Sequence, residues 1–212
     1  MDSFAPGRRA VVGFALALLG LGIGASAPAS ADPSPIEPIR QLNDGLLKIM
    51  HDGRGTPFNQ RFQALAPIVE QTFDLQAVLE DSVGPTWSTL TPAEQALLMD
   101  AFRRYTIASY VNSFDNFSGQ KFDVSPDPQS LPNGELVVNT RIVPASGTGH
   151  ALDYVMRKTG NGWRAVDVLA DGSISRVAVQ RSDFRRLLRS GGPTALAESL
   201  QNKSADLAGG TA

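Results

Sequence analysis

The sequence contains no cysteine, which excludes a disulfide framework and any thiolate metal site. Histidine is nearly absent. His51 lies in a glycine-containing loop and His150 at a hairpin tip, so neither stands beside a nucleophile or a second ligand. GxS nucleophile elbows, HExxH and phosphate-binding glycine loops are missing. The runs Gly53-Arg54-Gly55 and Gly147-Thr148-Gly149 need no more than turns to explain them. No catalytic residue, metal or cofactor is therefore expected. Positive charge is also short: of 19 basic and 21 acidic residues, two Arg and one Asp fall in residues 1–31, which leaves a formal charge of −3 beyond them and argues against nucleic acid as a partner.

The one long apolar run is at the start. Arg8 and Arg9 precede Ala10 to Ala27, and Ala29-Ser30-Ala31 offers a small-residue cleavage site before Asp32. Residues 1–31 read as a secretory signal peptide cut after Ala31. The Arg pair leaves the twin-arginine route open, with general secretion the simpler reading. No later segment approaches the roughly 20 apolar residues of a membrane span. Residues 32–207 suffice for one domain with its own core, and secretion without cysteine suits a bacterial periplasmic protein. The tail, 208–212, reads as disordered.

Helices dominate the first half. Ser34-Pro35-Ile36-Glu37 pairs a Ser cap with Pro and Glu at their favoured positions, so a helix should run to about Met50. After the loop HDGRGTP a second helix carries Phe58, Phe62 and Leu65, and Pro67 should kink or split it. Asp74 caps a short helix, Leu75–Val83, ended by Gly84-Pro85. Thr91-Pro92-Ala93-Glu94 is a capping box opening a helix to about Phe114, whose Leu98, Ala101, Phe102, Tyr105, Ala108 and Asn112 recur at three and four.

From Lys121 the period changes to two. Leu136, Val138, Thr140 and Ile142 alternate with Val137, Asn139 and Arg141; Leu152, Tyr154 and Met156 follow a glycine turn; Trp163 to Leu169 follows Gly160-Asn161-Gly162. Ile174, Val177 and Val179 continue the sheet or lead out of it. Phe184–Arg189 and Thr194–Leu207 read as closing helices around Gly191-Gly192-Pro193. Helices first and antiparallel strands afterwards define an α+β fold.

Two strand carboxylates are the only candidates for cavity chemistry. Asp153 faces opposite to Leu152 and Tyr154, which favours an outward residue paired with Arg157 or Arg164. The face of Asp167 is open, since Val166 and Val168 flank it; as a general base it would make the protein a cavity enzyme. Arg181, Arg185, Arg186 and Arg189 form a basic cluster. At helical spacing Arg181, Arg185 and Arg189 share one face, opposite Phe184, Leu187 and Leu188: a solvated surface or a docking stripe.

The segments FDLQAVLEDSVGPTW, TPAEQALLMDAFRRYTIASY, VVNTRIV, LDYVMRK and GWRAVDVLADGSISRVAVQRSDFRRLL follow one another in an order that resembles the MlaC, or toluene-tolerance, family of periplasmic lipid-carrying proteins. GWRAVDVLADGSISRVAVQRSDF and IASYVNSFDNFSGQ are most similar to its hopanoid-associated HpnM branch. The resemblance covers Ile36 to Lys203. It implies a curved antiparallel sheet covered by helices, as in nuclear transport factor 2, with an apolar cavity for lipid. It also implies a carrier for an inner-membrane lipid transporter, an ABC transporter component, with an outer-membrane acceptor as a further candidate partner. Gln76-Ala77-Val78 departs from the phospholipid-carrying pattern, so phospholipid and hopanoid both stand as cargo. An adaptor that binds no lipid is a third reading.

A carrier reading explains the apolar excess around Phe73 to Gln95. Exposing one chain of about 16 carbons to water costs on the order of 12 kcal/mol, at about 0.8 kcal/mol per CH₂, and a cavity must offset nearly all of it. The helices after Asp74 and Thr91 would be lids, broken by Gly84-Pro85, with Trp87 at their junction. The helical stripe and strand parity then assign the lipid-facing wall to Val78, Leu79, Leu98, Phe102 and Tyr105, and to Leu136, Val138, Ile142, Tyr154, Met156 and Val168.

Overall fold

Local capping and turn chemistry set most element boundaries in the computed structural model, which describes residues 34–209. The signal-peptide reading for residues 1–31 lies outside the described residues. Ser34 does not cap the first helix directly. Its hydroxyl accepts from the Ile36 N–H at 3.3 Å in a turn that feeds α1, Glu37–Asp52. α2, Phe58–Thr72, runs unbroken through Pro67, contrary to the expected split. Pro67 lies on the exposed side, where water serves the carbonyl that the missing N–H leaves unpaired. On the other side α2 closes against α1 at Gly45, where a Cβ would meet Ile68 Cδ1 at 2.6 Å.

Asp74 caps α3, Leu75–Val83, by accepting from the Ala77 N–H at 3.0 Å. Gly84 then adopts φ 72° and starts the 3₁₀ turn Gly84–Thr89, which holds the half-buried Trp87. Thr91 and Glu94 form a complete capping box at the start of α4, Pro92–Ser113.

The sheet is organised around one long strand. Its elements are β1 (Lys121–Val124), β2 (Gln129–Ser130), β3 (Leu136–Val138), β4 (Thr140–Val143), β5 (His150–Thr159), β6 (Gly162–Ala170) and β7 (Ile174–Ser175), all antiparallel. β5 pairs β6 along one edge; β3 and β4 share its other edge, and β2 and β1 extend them outward. The expected strand from Leu136 to Ile142 is thus two strands in one register. The ladder breaks at Asn139, where the Thr140 N–H donates to Asp153 Oδ1 at 2.9 Å and the Thr140 hydroxyl donates to the Leu152 carbonyl. Asp153 is buried, so the outward, ion-paired reading is corrected: its carboxylate replaces a missing ladder acceptor. The sequence does not mark β1 and β2 as separate strands, because their few residues carry little apolar periodicity.

Val177 and Val179 belong to α5, Arg176–Gly209, and not to the sheet. This helix kinks at Gly192, φ 68°, next to Pro193, so it is two helices in series as expected. It extends through Ala208 and Gly209, two residues into the expected disordered tail; residues 210–212 lie outside the described residues. The core lies between helices and sheet. Leu98, Phe102, Val138, Tyr154 and Met156 are at most 1% exposed, and Phe102 meets Phe184 of α5 edge-on at 6.3 Å.

Removing the Thr91 cap by Thr91→Ala is expected to lower the unfolding free energy by about 1 kcal/mol in urea titrations at neutral pH. Glu94 adds a pH-dependent share. The Thr91 backbone N–H, and then its hydroxyl, hold the Glu94 carboxyl below its ordinary value of 4.5. A pKa depressed on folding stabilises above the unfolded value and loses that contribution as pH falls through the folded one. The stability difference between the native protein and Glu94→Gln should be full at pH 7 and shrink below pH 4.5.

Candidate functional site

The most apolar opening among the described residues lies where the second half of α4 passes over β4, β5 and β6. It is a cavity of about 350 Å³. Phe73, Leu75 and Val78 come from the α2–α3 junction, Tyr110 and Phe114 from the end of α4, and Ile142, Leu152, Val168 and Ala170 from the sheet. The space exists because α4 turns small side chains toward it. Thr106, Ser109 and Ser113 recur at helical spacing on the cavity side, and none fills the gap to the sheet.

A row of rings bounds this space. Phe73 touches Tyr154 at 6.1 Å and Tyr110 at 5.7 Å between centroids, Tyr110 stacks on Phe114 at 6.1 Å, and Phe114 reaches Phe122 of β1 at 5.9 Å. Phe73 is locked to β6 by main-chain pairing with Ala165, and the Asp74 N–H donates to the Ala165 carbonyl at 3.0 Å. Burial raises both phenols above their ordinary range. For Tyr154 the neighbouring Tyr110 adds to that effect, whereas for Tyr110 a weaker contact with Tyr154 and the charge of Arg176 act in the opposite direction. No hydrogen bond of ordinary geometry joins the two hydroxyls, and Tyr154 Oη is buried without a partner. Thr106 Oγ1 is likewise buried and unpartnered, whereas the Ser109 hydroxyl donates to the Tyr105 carbonyl at 2.8 Å.

Of the eleven side chains assigned to the wall, Val78, Ile142 and Val168 line the cavity. Leu79, Leu98, Phe102, Val138, Tyr154 and Met156 are packed in the core, and Leu136 and Tyr105 are half-buried against it. A large apolar stripe marks where a helix packs tightly. The cavity falls on the neighbouring stripe of smaller, more polar residues, which periodicity in hydrophobicity does not report. The helix arginines also divide. Arg181 Nε donates to the Asp81 carbonyl at 2.7 Å and its chain packs beside Gly84, so it is a structural clamp; Arg185, Arg186 and Arg189 are exposed.

Asp167 lines the cavity, yet its oxygens are occupied. Oδ1 accepts from the N–H groups of Val168 at 2.7 Å and Val177 at 3.1 Å, and Oδ2 accepts from the Ser175 hydroxyl. Ser175 in turn accepts from the Ala178 N–H at 2.9 Å, so the pair caps α5. Neither histidine lines the cavity: His51 packs on Phe117 at 3.8 Å, and exposed His150 lies 3.8 Å from Asp171. Among the described residues no three His, Cys, Asp or Glu side chains gather into a metal-binding group.

An antiparallel sheet under helices, with an apolar chamber between them, defines an α+β protein built around a cavity. Residues 40–202 match the family described as MlaC protein, and the chain belongs to that family. Its structure is similar to that of a phospholipid-binding protein from Ralstonia solanacearum solved in complex with a phospholipid. The two share 25% sequence identity and a TM-score of 0.71, over 84% of this chain and 99% of the other.

Two substitutions separate cavity from core. Ala170→Phe should fill the cavity and lower the amount of co-purifying ligand while urea stability stays close to native. Val138→Phe should instead overpack the core, at a cost of about 1–3 kcal/mol. Ligand extraction with urea denaturation of both variants checks the assignment. Asp167→Ala, which strands three donors at the β6–α5 junction, is expected to cost about 1–3 kcal/mol in the same assay.

Proposed function

We propose that this protein is a periplasmic carrier that holds the apolar part of a membrane lipid in the cavity beneath α4 and shuttles it for an inner-membrane lipid transporter. The observation that carries this reading is the cavity itself, about 350 Å³ of largely apolar space in a protein whose Ralstonia relative binds a phospholipid. Unfilled apolar volume forfeits dispersion contacts and hydration balance, so a chain that enters it is stabilised and stabilises the protein in return. In this reading residues 32–207 are the mature lipid-binding domain, released after export by loss of residues 1–31. Phospholipid and hopanoid are both candidate cargo, the latter through likeness to the HpnM branch. The enzyme alternative loses its main support, because the Asp167 carboxylate is engaged by three donors in capping α5.

Native mass spectrometry after detergent-free purification tests the carrier reading. The protein should arrive with one lipid-sized adduct that is lost in Ala170→Phe; a bare mass in every preparation would leave the adaptor reading in its place.

The exposed Arg185, Arg186 and Arg189 belong to the same proposal as a docking stripe for an acidic surface on the transporter or an outer-membrane acceptor. Such contacts raise association rates and are screened over about 8 Å at physiological ionic strength. The double variant Arg185→Glu, Arg189→Glu should exchange lipid more slowly with transporter-containing proteoliposomes at low salt while retaining the lipid already bound. Equal exchange rates at every salt concentration would reduce the stripe to a solubilising surface.

A further inference from the structure

The cavity wall is largely apolar, with Thr106, Ser109, Ser113 and Asp167 as its uncharged or already engaged polar members. Arg176, the first residue of α5, is its one cationic lining residue and is exposed to solvent. None of the ion pairs among the described residues involves it. The carboxylate on the same wall, Asp167, is turned to Ser175 and Val177 and forms no ion pair with it. Its charge also acts on the Tyr110 phenol of the same wall, in the direction opposite to the effect of burial. Thr106 adds a buried hydroxyl oxygen with no partner on the α4 side of the chamber.

A cation beside a greasy chamber is an incomplete arrangement in an unliganded protein. An exposed guanidinium needs no partner, because water serves it. A bound amphiphile changes this: its chain covers the chamber and its head takes the place of water at the rim. A neutral head then leaves the guanidinium partly desolvated and unpaired, whereas an anionic head forms a charge-assisted pair of the forked kind Arg favours.

We propose that Arg176 is the residue that reads the lipid headgroup, giving the cavity a preference for amphiphiles whose polar end carries a phosphate or carboxylate anion over uncharged ones of equal chain length. This rests on the carrier reading above and narrows it. It places the tail toward Phe73, Leu75 and Val78 and the head between α5 and the end of α4. A terpenoid with an uncharged polar end would fit the walls but not use Arg176. Phosphate and carboxylate share the chemistry that a guanidinium recognises, and the two sources are separable by experiment.

The test uses the mature protein and three probes of one chain length: dodecyl phosphate, dodecanoate and dodecanol, with affinities measured by displacement of a fluorescent fatty acid. The native protein should bind one or both anions about tenfold or more tightly than the alcohol, equivalent to about 1.4 kcal/mol. Arg176→Gln should bring anion and alcohol to within about twofold of each other without weakening the alcohol, and Arg176→Lys should restore part of the difference, as a charged but unforked donor would. A preference for dodecyl phosphate alone identifies phosphate as the recognised head, and equal preference for both identifies any monoanion. No preference in the native protein, or one that survives Arg176→Gln, overturns the inference while leaving the carrier reading intact. Failure of all three probes to bind at all would count against the carrier reading itself, and unchanged thermal melting of both variants excludes misfolding as the cause.

Discussion

The chamber depends on how Phe73 is held. Its backbone is paired to Ala165 of β6, the Arg164 guanidinium donates to the carbonyls of Glu70 at 2.7 Å and Phe73 at 3.3 Å, and its ring meets Tyr110 above and Tyr154 below. One residue therefore joins the α2–α3 turn, the central strands and α4. With that spacing set, the ring row through Tyr110, Phe114 and Phe122 carries the end of α4 across the sheet, and the small residues Thr106, Ser109 and Ser113 cannot close the gap beneath it. An ordinary core would have placed Leu or Phe at such positions. Close packing is kept at the other end of the same helix, where Leu98 and Phe102 are fully enclosed.

Three polar side chains near the chamber hold its frame. Asp153 substitutes for a ladder acceptor at the β3–β4 break, Asp167 caps α5, and Arg181 ties α5 to the end of α3. These are buried or half-buried groups satisfied at short range, the condition under which such groups are tolerated in a protein interior. The arrangement concentrates catalytically familiar residue types near the cavity while engaging their lone pairs and protons in structure.

The elements legible in the sequence were those set by neighbours in the chain. Asp74 before α3, the Thr91–Glu94 box and the glycine turns around β5 and β6 act over a few residues, and they form as read. The cavity was only partly legible. Val78, Ile142 and Val168 follow from period and parity, but the α4 side is marked by small side chains, whose signal is missing volume rather than hydrophobicity. Asp153 and Asp167 illustrate the same limit from the polar side. Their roles depend on partners that folding brings close: Thr140, thirteen residues from Asp153, and Val177, ten residues from Asp167. The Val166 bulge on β6, which shifts register between Val155 and Met156, also breaks the strict alternation on which any reading of Asp167 had to rest.

Photo-crosslinking with a fatty acid carrying a diazirine at the end of its chain addresses the central claim most directly. If the apolar tail occupies the space under α4, mass spectrometry of digested adducts should place the label on Phe73, Val78, Ser109, Leu152 or Ala170, and Ala170→Phe should abolish it. Labelling confined to exposed side chains such as Leu97, Phe117 or Val179 would contradict the account.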